Sequence, residues 1–414
     1  MAHLHDTSWR AEPASEVRPS ESRPPNRKAG YFLLEGLNAF AAAYYFNYQF
    51  FFLRDHFGFG NRGNLLASAL HGLIYVCAAW FGGQFAQRRG YFTALRLGFG
   101  GMGLALALGS LVSTAFGQLV VLAGWTLAMC FTWPTLEALI SENETDHALS
   151  RMVGIYNVVW AGSSAVAYFA GGAIIEWLGE RSIYWLPAGI HLAQLALLGS
   201  LSARSPQTPA PIKVPAPPPP HQPEEAAFHQ PVRPETFLKL AWLANPFAYV
   251  AIYTVLAAIP SLARRLELST AESGFFCSLW FFVRLGAFVF LWRWSGWHYR
   301  FRWLFAAFVA LILSFATLLL AGQFWVLLLA QVAFGAAVGL IYYSSLFYSM
   351  DVGETKGEHG GFHEAAIGAG IFAGPAFGAA ALQFFPRHPH SGTWAVSGLL
   401  LAGLAGMIWL RLKK

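Results

Sequence analysis

The sequence predicts an all-α membrane protein with twelve transmembrane helices in two pseudo-symmetric six-helix bundles. Three observations predict this fold class. Apolar side chains make up 56% of the 414 residues and charged ones only 12%, whereas soluble domains carry about a quarter charged residues. Apolar stretches of about 20 residues, the length that crosses a bilayer, recur along the chain. A polar, proline-rich segment at residues 202–236 divides these stretches into six and six.

The charge pattern defines the individual spans. No Asp, Glu, Lys or Arg lies between Arg96 and Glu137, or between Arg302 and Asp351. Each charge-free run is long enough for two spans joined by a tight turn, and a soluble helix of that length would need charges on its wet face. The turns are predicted at residues 113–117 and 322–323, and the spans at 31–53, 64–86, 93–114, 117–140, 152–177, 183–201, 237–262, 272–293, 302–321, 324–350, 361–385 and 391–412.

Lys and Arg are distributed unequally between the two sides of this topology. Twenty of the 27 fall in segments on one side and six on the other, which by the positive-inside rule predicts that both termini are cytoplasmic. This bias accounts for the net charge of +6, so we expect no nucleic-acid partner. We expect a monomeric, multi-pass protein of a bacterial inner membrane. Its predicted parts are a disordered tail at 1–30, bundles at 31–201 and 237–414, and a cytoplasmic linker at 202–236.

The two halves show a weak internal repeat. A shift of about 207 residues places Asn38 on Asn245 and Gly171–Gly172 on Gly378–Ala379. The shared offset and the equal number of spans indicate a duplication, which is common among transporter folds.

The layout of six spans, a long linker and six spans resembles the major facilitator superfamily. The loop after the second span of that family resembles Gly-x-x-x-Asp-Arg-x-Gly-Arg-Arg. Here Gly83, Arg88 and Gly90 match, Gln87 replaces the acid, and Tyr91–Phe92 replace the basic pair. The resemblance implies that Gly83, Arg88 and Gly90 belong to a gating loop.

A second pattern resembles the family's antiporter motif, Gly-x-x-x-Gly-Pro-x-x-Gly-Gly. It lies in the eleventh span, whereas in proton-driven drug exporters of the family it belongs to the fifth. Its small residues predict close helix packing at Gly370, Gly374, Pro375 and Gly378. The motif favours export, and uptake of a neutral nutrient is the alternative.

The resemblance also implies that spans one, four, seven and ten line a central cavity. Helical spacing gives each of them an aligned polar or aromatic stripe. Such a stripe could instead bind a neighbouring helix, but because all four spans have one we favour the cavity. Aromatic and mostly neutral lining suits an amphipathic or ring-bearing cargo. The predicted substrate-binding residues are Asn38, Tyr45, Gln49, Trp133, Asn245, Tyr249, Tyr253, Gln331 and Tyr342, with Arg284 from span eight.

Ionisable residues inside spans are functional candidates, because burying them in the membrane is costly. Arg284 either forms a structural contact or binds an acidic group or an anionic cargo. Glu137 either reaches the membrane interface or carries a proton. His363 and Glu364 either begin a helix or carry a proton. Glu35 is expected at the membrane interface.

These features favour a secondary transporter that works by alternating access and is coupled to protons. The cargo, membrane lipid and protons are its expected partners. The sequence contains no phosphate-binding loop of the Gly-x-x-x-x-Gly-Lys-Ser/Thr type. It also lacks a nucleophile–base motif or a metal-ligand set, and we expect no cofactor and no metal. A membrane-embedded lipid enzyme and a non-transporting sensor are the remote alternatives.

Overall fold

The structure is a computed structural model that describes residues 25–142, 144, 146–203, 233–352 and 356–413. The predicted tail and linker lie largely outside this part. Every regular element in the described part is a helix. The helices are α1 (Pro25–Phe57), α2 (Asn61–Arg89), α3 (Tyr91–Gly109), α4 (Ala115–Met129), α5 (Trp133–Ser141), α6 (Asp146–Leu178), α7 (Ser182–Ala203), α8 (Pro234–Arg265), α9 (Thr270–Cys277), α10 (Leu279–Arg293), α11 (Phe301–Leu320), α12 (Phe324–Asp351), α13 (Lys356–Phe384) and α14 (Ser391–Leu412).

Eleven stretches of the described chain are long and apolar enough to cross a membrane. The remaining long helix is α1, whose 33 residues exceed the length of a bilayer span but include polar side chains such as Asn38, Asn47 and Gln49. With α1, the helices form the twelve predicted spans. Span four consists of α4 and α5, and span eight consists of α9 and α10. We call the end that carries loops 58–60, 179–181 and 266–269 the predicted outer end.

Local sequence signals explain where several helices begin. The turn between α3 and α4 comprises residues 110–114 and overlaps the predicted turn at 113–117. At the start of α4, the Thr114 side chain accepts a hydrogen bond of 3.2 Å from the Gly117 amide. At the start of α9, Ser269 and Glu272 each bind the other's backbone amide, at 3.2 and 2.8 Å. This reciprocal pair is a capping box, which satisfies amides that have no partner inside the helix.

Two spans are interrupted near their middles. Pro134 occupies the first turn of α5, where its missing N–H costs no hydrogen bond. Span eight is interrupted at Ser278, between α9 and α10. A tryptophan closely follows each interruption, Trp133 in α5 and Trp280 in α10, and both line the cavity described below.

Two adjacent glycines of α6 pack against different helices. A Cβ at Gly171 would lie 2.3 Å from the Tyr48 ring of α1, in the same half of the molecule. A Cβ at Gly172 would lie 2.1 Å from the carbonyl oxygen of Thr270 in α9, in the other half. Real Cβ atoms do not approach so closely, so these two close approaches of α6 require positions without side chains.

Helix α13, the counterpart of α6, is packed in the same way. A Cβ at Gly374 would lie 2.4 Å from the Val250 carbonyl oxygen of α8, in its own half. A Cβ at Gly368 would lie 2.9 Å from the Val76 amide of α2, in the other half. The contacts of α2 with α13 and of α6 with α9, both between the halves, are therefore equivalent under the internal repeat.

We expect Gly374→Val to lower the melting temperature of the purified protein. The new side chain would have to fit where even a Cβ is too close to α8, and overpacking of this kind costs about 1–3 kcal/mol. Gly189→Val is the matched control, because nothing lies within 4 Å of a Cβ at Gly189 in α7. Unfolding in detergent, followed by tryptophan fluorescence, compares the two variants. Equal melting temperatures would contradict this packing argument.

Candidate functional site

Two adjacent cavities lie between the halves. The first, which we call the arginine cavity, is lined by Arg284, Trp280, Phe281 and other mostly apolar side chains. The second, which we call the carboxylate cavity, is lined by Glu137 and Glu364. Four aromatic side chains line both cavities and form the wall between them: Trp133, Trp160, Tyr249 and Tyr253.

Arg284 lies less than two turns beyond the interruption of span eight and is only 5% exposed. Its guanidinium carbon is 5.4 Å from the ring centre of Trp280 and 5.0 Å from that of Phe281, both on the preceding turn of α10. It is 4.6 Å from the ring centre of Trp160, which belongs to α6 in the other half. These distances are within the range of cation–π attraction. The side chain therefore joins the two halves at the cavity wall.

The carboxylate cavity also joins the halves. The Tyr75 hydroxyl of α2 donates a hydrogen bond of 2.5 Å to the Glu364 carboxylate of α13. Glu137 of α5 lies close enough to Glu364 for the two carboxyl groups to interact electrostatically. The two acidic groups thus come from opposite halves of the molecule.

Glu35 is a third carboxyl group in this region, and sequence reasoning misplaced it. The expectation of a membrane-interface position is wrong, because the Glu35 side chain is fully buried beside Trp133 and Tyr156 and interacts electrostatically with Glu137. Helix α1 begins at Pro25 rather than near residue 31, which places Glu35 almost three turns inside the helix.

The sequence model of the Major Facilitator Superfamily matches residues 31–375 of this chain. The chain belongs to the major facilitator superfamily. Three solved transporters share its fold, and identities this low show the fold alone. The nucleoside transporter NupG aligns with a TM-score of 0.68 at 12% identity, over 93% of this chain and 100% of its own. A structure of proton dependent oligopeptide transporters aligns with a TM-score of 0.66 at 15% identity, over 93% of this chain and 97% of that one.

The third similar structure is a bacterial homologue of the human lysosomal transporter Spinster, in an inward-facing and unoccupied conformation. Its TM-score is 0.61 at 16% identity, over 94% of this chain and 96% of that one. No curated protein sequence matches the chain significantly. The family and the shared fold establish this major facilitator protein as an integral membrane transporter and not an enzyme.

Five of the predicted substrate-binding residues of this major facilitator transporter line one or both cavities. Helical spacing selected a cavity-facing side of α5 and α8, and the interruption before α5 leaves Trp133 and Glu137 on one side of that helix. The cavity-lining residues among those predicted are Trp133, Tyr249, Tyr253, Arg284 and Tyr342.

The structure places the other five predicted residues in the packing between helices, and their role in substrate binding stays a prediction. On α1, Asn38 donates a hydrogen bond of 3.2 Å to the Thr132 hydroxyl, and Tyr45 packs against Trp125 at 4.9 Å between ring centres. Gln49, Asn245 and Gln331 are also buried, and they are not among the cavity-lining residues.

The face of α1 that lines the arginine cavity is the adjacent one, which carries Ala39, Ala43, Phe46 and Asn47. Most of its side chains are apolar, so a search for polar stripes passes over it. Spans five and eight also contribute lining residues, although the resemblance implied only spans one, four, seven and ten. Sequence reasoning therefore missed Trp160, Ser164, Trp280 and Phe281 as lining residues.

The predicted gating-loop residues and His363 lie towards the end of the bundle opposite the predicted outer end. Gly90 joins α2 to α3 with a φ of 93°, a backbone conformation that glycine adopts readily. Arg88 is exposed, and Gly83 lies on α2 facing Pro134. His363 is part of α13, but its side chain lies outside the described residues. The gating and proton-carrying roles of these residues stay predictions.

Proposed function

We propose that this transporter moves a small, ring-bearing or amphipathic molecule by alternating access and that protons drive it. The observation that carries the proposal is the shared wall between the two cavities. The aromatic arginine cavity suits a flat cargo, and the carboxylate cavity beyond the same four aromatic side chains can exchange protons. Occupation of one cavity can therefore affect the other through direct contact.

Contacts at the predicted outer end support alternating access. Arg54 of α1 donates a hydrogen bond of 2.5 Å to the Pro260 carbonyl of α8. The Ala271 amide of α9 donates one of 2.8 Å to Glu176 of α6. Both bonds join the two halves, and both must break if the halves rock apart at this end, as in the alternating access of transporters built from repeats.

The position of the carboxyl groups supports proton coupling. Two ionised carboxylates from opposite halves repel each other strongly in an apolar setting. Protonation of Glu137 or Glu364 removes that repulsion and lets the halves approach on the side of the carboxylate cavity. Proton binding thereby favours one arrangement of the halves, which is what coupling requires. Glu35, beside Glu137, adds a third group whose charge state affects the same balance.

The similar structures are compatible with this cargo and this energy source. One is a nucleoside transporter, whose cargo carries a ring, and another is described as proton dependent. Export is the direction that the Gly370–Ala379 motif favours. Uptake of a neutral nutrient together with protons is the second candidate, because the arginine cavity is mostly neutral apart from Arg284.

Reconstitution into liposomes under an imposed pH gradient tests the proposal. We expect at least one compound from a panel of ring-bearing metabolites and drugs to accumulate several-fold against its concentration gradient. A protonophore should abolish that accumulation. Opposite movement of cargo and protons would establish export by exchange, and movement in the same direction would establish uptake. Facilitated movement that ignores the pH gradient would contradict proton coupling, and no movement at all would favour a sensor.

A further inference from the structure

We propose that the arginine cavity binds ring-bearing monoanions, with Arg284 as the group that holds the cargo's single acidic group. This inference rests on the proposed transport function, and it names the class of cargo more narrowly. The shared chemistry is one carboxylate, or a similar singly charged acid, attached to a flat ring.

The first step is the charge of Arg284. A buried guanidinium normally pairs with an acid, because removing a charge from water is costly. Here no carboxylate lies within salt-bridge distance of Arg284 in the described part of the chain, and its Nε atom has no hydrogen-bonding partner there. Its electrostatic neighbours are the tyrosines Tyr249, Tyr253 and Tyr342. Within the described part of the chain, the buried cation thus has aromatic and hydroxyl neighbours and no counter-ion.

The second step is geometry. A guanidinium presents its N–H groups in a planar fork that matches both oxygens of a carboxylate. The nearby tyrosine hydroxyls can donate further hydrogen bonds to the same acid. Because Arg284 lines the arginine cavity, an anion can reach it without displacing any protein acid. Trp160, Trp280 and Phe281 surround the guanidinium and provide flat surfaces for a ring attached to that anion.

The third step limits the charge of the cargo. Among the described residues, Arg284 is the single cation that lines the arginine cavity, and no Lys of that part of the chain lines it. On the far side of the shared wall, Glu364 interacts electrostatically with Tyr249 and Tyr253. The carboxyl groups of Glu364 and Glu137 in the carboxylate cavity oppose a second negative charge close to the wall. One acidic group is therefore favoured, and a dianion is disfavoured.

Binding to the purified full-length protein in detergent tests the inference. The probes are two monoanions, benzoate and indole-3-acetate, their neutral amides, benzamide and indole-3-acetamide, and the dianion terephthalate. We expect the acids to bind at least tenfold more tightly than the corresponding amides, and terephthalate to bind more weakly than benzoate. Titration calorimetry measures the affinities, and the rise in unfolding temperature gives an independent measure, since a ligand of the folded state stabilises it.

Variants of Arg284 test the residue itself. Arg284→Gln should remove the preference for acids over amides, and Arg284→Lys should keep part of it, because lysine retains the charge but lacks the fork. Arg302→Gln removes an exposed arginine and should leave the preference unchanged. The comparison of acids with amides uses the unmodified protein, so it remains valid even when a variant of Arg284 fails to fold.

The outcomes separate the inference from the proposed function. Equal binding of acids and amides by the unmodified protein would overturn the monoanion inference and leave a neutral ring-bearing cargo standing. Unchanged acid preference in Arg284→Gln would overturn the role of Arg284. Failure of all five probes to bind, together with transport of a ring-bearing compound in liposomes, would overturn the inference alone. Absence of transport of any compound would overturn the proposed function instead.

Discussion

Replacing Glu364 with glutamine is expected to abolish cargo accumulation under a pH gradient while cargo exchange continues. Glutamine keeps the size of the side chain and can still accept the hydrogen bond from Tyr75, but it cannot gain or lose a proton. Coupling then fails because the electrostatic interaction with Glu137 no longer changes with protonation. Exchange of labelled for unlabelled cargo across liposomes needs no net proton movement, so it should keep a rate similar to that of the parent.

The measurement is the ratio of internal to external cargo at steady state, which should fall from several-fold to about one. Glu180→Gln provides the control, because Glu180 is an exposed residue at the predicted outer end that pairs with His56. It should behave like the parent in both assays. Undiminished accumulation by Glu364→Gln would exclude Glu364 as the coupling group, and loss of exchange as well would indicate a structural role.

Much of the fold could be predicted because a bilayer imposes simple rules on sequence. The charge-free runs between Arg96 and Glu137 and between Arg302 and Asp351 each correspond to two spans with a turn between them. Charges are excluded from lipid, so their spacing marks the spans. The start of α1 was predicted too late, because its first turns carry polar residues that a search for apolar stretches assigns to the tail. That error of six residues also misplaced Glu35.

The candidate site was less predictable, because helical spacing shows which residues share a face but not what that face contacts. On α1, Asn38, Tyr45 and Gln49 do share a side, and in the structure that side is buried against neighbouring helices. The adjacent face, with Phe46 and Asn47, lines the arginine cavity. The interruption at Ser278 had no clear signal in the sequence, yet it orients Trp280 and Arg284. These features depend on contacts between helices that lie far apart in the chain.

The second large effect is expected at Gly172, where leucine should hold the predicted outer end open. The three atoms nearest to a Cβ at this position all belong to Thr270 and Ala271 of α9, in the other half. The closest clash is therefore with the other half, and separating the halves at this end relieves it. A clash of about 1–3 kcal/mol shifts the equilibrium between closed and open arrangements by about 5- to 150-fold. Transport should fall to a similar degree, because the closed arrangement is one of its two required states.

Labelling of a buried cysteine measures that opening. Ser164→Cys, placed in a variant without Cys77, Cys130 and Cys277, puts a thiol in the arginine cavity, where Ser164 is 5% exposed. A membrane-impermeant thiol reagent added to intact cells should label it at least fivefold faster when Gly172→Leu is also present. Unchanged labelling would mean that the contact between α6 and α9 does not close the cavity to the outside.

Gly171→Leu is the matched control for this effect, because it adds the same side chain one residue away. A Cβ at Gly171 meets Tyr44 and Tyr48 of α1, which belong to the same half. Separating the halves cannot relieve that clash, so this variant should lose thermal stability without faster labelling of the cysteine. The pair distinguishes two uses of glycine on one helix. Gly171 allows α6 to pack against α1 within one half, and Gly172 allows the two halves to close against each other.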